Sequence, residues 1–404
     1  KMRFVRNWGR LGMKSEWKQV VLKDVLTDKG YIRGPFGSAL KRPDMLSAGV
    51  PVYEQQHAIY NKRDFRFFVS KEKFEEMERF MTQKDDLLIS CSGTVGKVTI
   101  IRENDSVGII SQALLLLRVN RDVVLPQYLK YFFSSEKGYN AIISRSGGSV
   151  QVNISKRNVI EQIPILLPTV STQQAIVDIL QNIDEKIETN NSINENLEQQ
   201  AQVLFDKMFG KNSSIEWKQG VLSDISIITM GQSPSGSSYN EDGDGMVFFQ
   251  GRTDFGFRFP SQRLFTTEPK RIAEANDILM SVRAPVGDFN IAAEKCCIGR
   301  GLGTIKSKDN HQSFVLYTMF SLKKQLNVFN GEGTVFGSIN RDSLNSMPIF
   351  IPSLEEMDKF ESIVAPMDKM IRNNYEENCR LQALRDSLLP KLMSGEMDIS
   401  EAII

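Results

Sequence analysis

The sequence predicts an α/β (α+β) chain with an internal pseudo-twofold repeat: two similar globular domains separated by two long antiparallel coiled-coil helices. Three observations carry this. The string EWKQVVLKDV opening at Glu16 returns two hundred residues later as EWKQGVLSDI at Glu216. Each copy closes on a proline-bracketed apolar tetrad, PILLP at Pro164–Pro168 and PIFIP at Pro348–Pro352. A polar stretch with helical spacing follows each closure. A unit repeated once at this length reads as two compact bodies of one kind. The expected boundaries are 1–168 for the first domain, 169–212 for the first helix, 213–352 for the second domain and 353–404 for the second helix with its tail.

Within the domains, short β-branched and apolar runs alternate with turns. Strands are expected at Val50–Tyr53, Leu87–Ser90, Lys97–Ile101 and Leu114–Val119, with a helix at Gln127–Ser135. The second copy offers strands at Met246–Phe249, Ile278–Ser281, Phe289–Ala292 and Thr304–Lys306, with a helix at Phe314–Leu322. DDLLISCSGTVGKV (Asp85–Val98) matches NDILMSVRAPVGDF (Asn276–Phe289). Both place a glycine, Gly96 or Gly287, after a strand, where a small-residue turn lets backbone N–H groups approach a phosphate.

The helices are marked by Ser171-x-x-Gln174 and Ser353-x-x-Glu356, which have capping-box form. Leu180, Ile183, Ile187, Asn190, Asn194 and Leu197 step by threes and fours. A shift of 184 residues converts them to Val364, Met367, Ile371, Asn374, Asn378 and Leu381. Continued through Ala201, Leu204 and Met208, and through Arg385, Leu388 and Leu392, such spacing over four heptads describes a coiled-coil seam, and asparagine in a seam sets register at some cost in stability. Antiparallel pairing would bring Asn190 and Asn194 to Asn374 and Asn378. Two amphipathic helices packed separately on their own domains are the alternative. Asp184-Glu185-Lys186 reads as a solvated face.

The net charge of +1 hides a pattern: +10 over residues 1–168, −4 over 169–212, zero over 213–352 and −5 over 353–404. Acidic helices repel phosphate, so polyanion contact is expected on the domains. Candidate DNA-contacting residues in the first domain are Lys41, Arg42, Gln55, Gln56, His57, Ser92, Thr94, Lys97, Arg145, Gln151 and Asn153. In the second they are Gln232, Ser233, Gln250, Arg252, Arg283, Arg300, Asn340 and Arg341. Framework positions are kept between copies while polar tips change: Gln55, Gln56 and His57 stand where Gln250, Gly251 and Arg252 do. Gln and Asn can pair with adenine edges and Arg with guanine. Ordinary divergence of surface loops predicts much of the same variation.

Catalytic patterns are weak. Gly93-x-x-Gly96-Lys97 misplaces the first glycine of a P-loop and has Val98 at the hydroxyl position. Asp254, Glu268 and Lys270 satisfy a loose metal-nuclease spacing, but Pro269 between the last two suits a strand badly. No metal site is expected from Cys91, Cys296, Cys297, Cys379, His57 and His311, which lack ligand spacing. The thiols read as reduced. Gly108–Val119 falls short of a membrane span and no signal peptide opens the sequence, so a soluble cytoplasmic protein is expected.

The duplicated EWK opening, the P-[IL]-x-[IL]-P closures and the terminal LQALRDSLLPKLMSGE (Leu381–Glu396) together resemble the specificity subunits of type I restriction–modification enzymes. The resemblance runs over nearly the whole chain. It implies two target recognition domains, each reading half of an interrupted double-stranded DNA site, with helices that set the unread spacer. It also implies a chain that is itself non-catalytic and binds no cofactor. Two modification subunits would bind S-adenosylmethionine and methylate adenine, and motor-nuclease restriction subunits would use ATP and Mg²⁺. A stand-alone Mg²⁺-dependent nuclease and a helical scaffold that binds protein are the alternatives from other classes.

Overall fold

A computed structural model of the chain describes residues 17–147, 152–210, 217–331, 337–397 and 399. The chain divides into two units: residues 1–186 with 380–404, and residues 187–379. Each long helix is therefore shared, its residues counted partly in one unit and partly in the other.

In the first unit, a four-stranded antiparallel sheet is ordered Leu26–Arg33, Leu114–Val119, Leu87–Ser90, Val98–Ile100. Beside it lies a three-stranded sheet ordered Phe68–Val69, Val50–Tyr53, Ile109–Ile110, whose last pair is parallel. The second unit repeats the first sheet with Ser226–Met230, Leu302–Ser307, Ile278–Ser281 and Phe289–Ile291 in the same order. Its counterpart of the second sheet grows to five strands, again with one parallel pair, Met246–Phe249 beside Cys296–Ile298. The central strands read LLIS and ILMS without alternation because both faces are covered, and every residue in them is buried. Leu87–Ser90 and Ile278–Ser281 fall on the segments the sequence predicts, and the expected helices lie at Pro126–Ser134 and Gln312–Ser321.

The repeated opening and closing strings meet each other. Lys18–Val21 pairs antiparallel with Pro164–Leu167, and Lys218–Val221 with Pro348–Ile351. The repeated aspartate locks the turn after each opening strand: Asp24 Oδ2 accepts from Val21 N at 3.1 Å, and Asp224 Oδ2 from Val221 N at 2.9 Å. The repeated tryptophans sit at helix ends. The Trp217 ring lies 5.7 Å from Phe209, the last residue of the first long helix. Trp17 packs against Gly395, just past the second long helix. That glycine has φ +64°, and a Cβ there would meet the indole at 3.2 Å, so both the backbone conformation and the tight contact favour glycine.

The long helices span Val170–Phe209 and Leu354–Ser394. The second starts on the expected capping box, with Glu356 N donating to Ser353 Oγ at 3.3 Å and Ser353 N to Glu356 Oε2 at 3.1 Å. The first is capped two residues earlier than expected: Thr169 Oγ1, not Ser171, accepts from Thr172 N at 3.3 Å. Thr169 follows Pro168 directly and its hydroxyl meets the N–H of the third helical residue. Leu180, Ile183, Ile187, Val364 and Ile371 are buried, while Leu197, Met367 and Leu381 are half-buried. In the second unit, Asn190 Nδ2 donates to Asn378 Oδ1 at 2.9 Å and Asn374 Nδ2 to Asn194 Oδ1 at 2.8 Å, an antiparallel register. The same helical segments also pack on the domain: Ala201, Phe205, Phe360 and Val364 share a core with Phe314 and Tyr317. Pairing and separate packing, posed as alternatives, thus coexist in this unit.

Aspartates related by the 184-residue shift anchor a tyrosine in each unit. Asp184 Oδ2 accepts from Tyr131 OH at 2.8 Å and lies 3.2 Å from Lys130 Nζ, while Asp184 Oδ1 accepts from Arg385 at 3.1 Å. Burial pushes the Asp184 carboxyl up, but Lys130, Tyr131 and Arg385 outweigh it and hold it below the ordinary range. Asp184 is therefore no solvated face, because its cations come from elements distant in sequence. Asp368 accepts from Tyr317 OH at 3.3 Å and from Arg258 Nη2 at 2.6 Å.

At the start of the helix Gln312–Ser321, Glu361 carboxylate oxygens accept from Ser313 N at 3.0 Å and Phe314 N at 3.1 Å. Just before it, the His311 ring lies 2.8 Å from Asp358 and 3.0 Å from Asp309. Burial lowers the His311 pKa, but the two carboxylates outweigh it and leave it raised. A raised folded-state value gives a stabilisation fully present below the unfolded histidine value of about 6.5 and lost as pH rises through the folded one. The unfolding midpoint of the second unit should therefore fall more steeply than in His311→Gln as the pH rises above about 6.5. Parallel pH profiles for the two proteins would remove His311 as the cause.

Candidate functional site

One end of the large sheet gathers the loops of each unit through the same backbone bonds. In the first, Gly34 N donates to Leu114 O at 2.9 Å, Cys91 N to Ala113 O at 2.9 Å and Ile154 N to Cys91 O at 3.0 Å. In the second, Gly231 N donates to Leu302 O at 2.9 Å, Val282 N to Gly301 O at 3.0 Å and Ile339 N to Val282 O at 3.0 Å. Backbone bonding needs no particular side chain, so this frame can persist while the tips change.

The first tip brings together Gln55, Ser92 and Asn153: Ser92 N donates to Gln55 Oε1 at 3.1 Å, and Ser92 forms a bridge with Asn153. Thr94 and Lys97 project from the same loop, and the Lys97 ammonium lies 4.9 Å from the centroid of the Tyr139 ring. Lys41 and Arg42 are exposed on a separate turn, closed by Lys41 N donating to Asp44 Oδ2 at 2.7 Å. Gln56 is half-buried with Nε2 3.5 Å from Glu54 Oε2. Gln151 lies outside the described residues.

Several expected base readers have structural work instead. His57 is 1% exposed, accepts from Glu54 N at 2.7 Å through Nδ1 and lies 3.1 Å from Asp64 O through Nε2. With both ring nitrogens engaged, it closes the turn and reaches no base. The Gln55 oxygen is bound to Ser92 N, so its carboxamide cannot pair bidentately with adenine while it holds that loop. Arg145, in the turn after the helix Glu136–Ile143, donates to Ala141 O at 3.0 Å. Asn340 caps Arg341–Asn345, its Oδ1 accepting from Ser343 N at 2.8 Å.

The turn glycines are corrected too. Gly96 and Gly287 have φ of +84° and +86° and face Tyr139 and Leu326. Their N–H groups donate to Ser90 O at 2.9 Å and Ser281 O at 3.0 Å, so they close the turn and leave nothing for phosphate.

The second tip keeps more exposed cations. Gln232, Gln250, Arg252, Arg283, Arg300 and Arg341 are exposed. Arg300 N donates to Ser233 Oγ at 3.2 Å, and Arg283 bridges Ser338. Arg252 is held by Asp288, which also lies 3.5 Å from Lys323 Nζ. Asp288 is not among the candidates because acids are not sought in a polyanion site, and Lys323 is not because it reaches this loop from the short helix Lys323–Leu326.

The first carboxylate of the nuclease spacing is engaged elsewhere. Asp254 is 6% exposed with its carboxylate 3.0 Å from Arg263 Nε, whereas Glu268 and Lys270 are exposed. Among the described residues no three His, Cys, Asp or Glu side chains form a group that could hold a metal ion. Cys91, Cys296 and Cys297 are buried free thiols and Cys379 is an exposed one. No helix among the described residues is long and apolar enough to cross a membrane.

Comparison with known proteins agrees with this duplicated geometry. The family model for the type I restriction modification DNA specificity domain matches residues 14–199 and again 214–383. A chain of Methanocaldococcus jannaschii assigned as the type I restriction enzyme MjaX specificity subunit is 30% identical over 409 residues, covering 95% of this chain and 94% of that one. The type I restriction enzyme HindI specificity subunit of Haemophilus influenzae is 24% identical over 375 residues, covering 72% of this chain and 81% of the relative. The crystal structure of a type I restriction-modification system S subunit from M. genitalium shares the fold, with a TM-score of 0.59 at 15% identity over 97% of this chain and 98% of that one.

Proposed function

Because the chain belongs to the type I restriction–modification DNA specificity family, we propose that each domain reads one half of an interrupted DNA site. The observation that carries this reading is the repeated loop frame with unlike tips. Both units gather their loops by the same backbone bonds, yet one presents Thr94, Lys97 and Asn153 and the other Gln250, Arg252 and Arg283. A kept frame with changed tips is what two readers of different half-sites need. Exposed cations and polar backbone hold the duplex by its phosphates, and side chains at the tips meet base edges in the major groove.

The long helices set the unread spacer and dock two modification subunits. Those subunits bind S-adenosylmethionine and methylate adenine, and motor-nuclease subunits use ATP and Mg²⁺ for restriction. This chain contributes position, not chemistry. Its buried Asp254 is committed to Arg263, where a metal-dependent nuclease would need that carboxylate for an ion.

The test is co-expression with a modification subunit, followed by genome-wide mapping of methylated adenines. The expected result is one interrupted motif with two unlike half-sites. A soluble, assembled complex that methylates a continuous motif, or none, would overturn the reading.

A further inference from the structure

An acid at the tip of a DNA-reading domain calls for an explanation, because a carboxylate repels the phosphates that supply most of the affinity. Asp288 is such an acid. Its N–H donates to Ser281 Oγ at 3.0 Å and its carbonyl accepts from Ser281 N at 2.9 Å, so its backbone is tied to the central strand. One carboxylate oxygen accepts from Arg252 Nη1, and the other lies 3.5 Å from Lys323 Nζ. The loop that bears Arg252 is fastened to the next strand, Phe289–Ile291, by Asn290, which is 2% exposed. Asn290 Oδ1 accepts from Gly256 N at 3.0 Å and its Nδ2 donates to Gly256 O at 3.0 Å. Arg252 and Asp288 thus have fixed stems on one surface recess of about 610 Å³.

We propose that Asp288 is a positioning residue that orients Arg252 to read a guanine in the second half-site. This rests on the reading of the domains as half-site readers. The acid holds one nitrogen of the guanidinium and leaves the others available, and two of those match the O6 and N7 acceptors of guanine. Fixing the side chain before binding lowers the ordering cost of the contact. It also turns the guanidinium from a general phosphate binder into an oriented one, because a phosphate approaching there meets the carboxylate. The first domain lacks this device: Lys97 occupies the matching turn position and lies over the Tyr139 ring. The effect is therefore confined to one half-site.

The test uses this chain assembled with its modification subunit and DNA carrying each base at every position of both half-sites. Asp288→Asn should lower discrimination about tenfold at one guanine of the second half-site. The first half-site and the unfolding midpoint should stay as in the unaltered protein. Asp288→Glu should restore part of that discrimination. Arg252→Ala should lose it, and Asp288→Asn added to Arg252→Ala should cost nothing further. Unchanged selectivity in Asp288→Asn overturns the proposal, as does equal loss at both half-sites with a lowered midpoint. If the unaltered complex shows no interrupted site, the half-site reading fails and takes this proposal with it. A bipartite site that Asp288→Asn and Arg252→Ala both leave intact overturns the proposal alone.

Discussion

Asp368→Ala is expected to destabilise the second unit by about 3–5 kcal/mol, the cost of leaving a buried charge without its partner. Arg258 is 3% exposed. Its Nη2 donates to Asp368 Oδ1 at 2.6 Å and to Tyr317 OH at 3.0 Å. Its Nε approaches Glu198 Oε2 only to 3.5 Å, without hydrogen-bond geometry, and Nη1 has no partner. Removing Asp368 therefore strips the guanidinium of its one close carboxylate, and the remaining glutamate sets the loss toward the lower end of the range. Hydrogen exchange over residues 311–322 and 354–371 would localise the effect, which should appear as faster exchange there. Undiminished protection would mean that Arg258 is hydrated or held by Glu198 alone. The double change Arg258→Met with Asp368→Leu should recover most of the loss, because it removes both charges. Asp184→Ala should cost less, since its partners Lys130 and Arg385 retain 25% and 32% side-chain exposure and can be hydrated.

Inserting one heptad into each long helix is expected to lengthen the unread spacer while leaving both half-sites unchanged. Seven residues add about 10 Å of helix at ~1.5 Å per residue, or roughly three base pairs at ~3.4 Å each. A heptad brings the seam back to within about 20° of its original phase. The asparagine pairs place Asn190 level with Asn378, so insertion just before Asn190 and just after Asn378 extends both helices at one level. Methylation mapping of the assembled variant measures the result. A complex that still methylates the original spacing would exclude the helices as the ruler. Altered half-sites would show instead that the insertion disturbs the domains.

Some features were legible because they are local or repeated. Leu87–Ser90 and Ile278–Ser281 read as strands from short apolar runs ending in small residues, and both are strands. Asn190 and Asn194 announced their partners through spacing, since helical periodicity projects onto the sequence directly. The same shift of 184 also carries Asp184 onto Asp368, yet Asp184 read as part of a solvated face and Asp368 was not singled out. Applying the repeat to charged as well as apolar positions would have paired them.

Taken alone, the sequence determined the duplication, the central strands, the two long helices and their asparagine register, all of which are encoded by neighbours within a few turns or by one repeated string. Tertiary structure decided which polar side chains stay exposed to read a ligand. Gln55 is taken by Ser92, His57 by Glu54 and Asp64, and Asn340 by the helix it caps. Arg252 stays exposed under the hold of Asp288, thirty-six residues away. The physical reason is that a polar side chain joins whichever donor or acceptor folding brings within about 3 Å, and distance along the chain does not specify that neighbour.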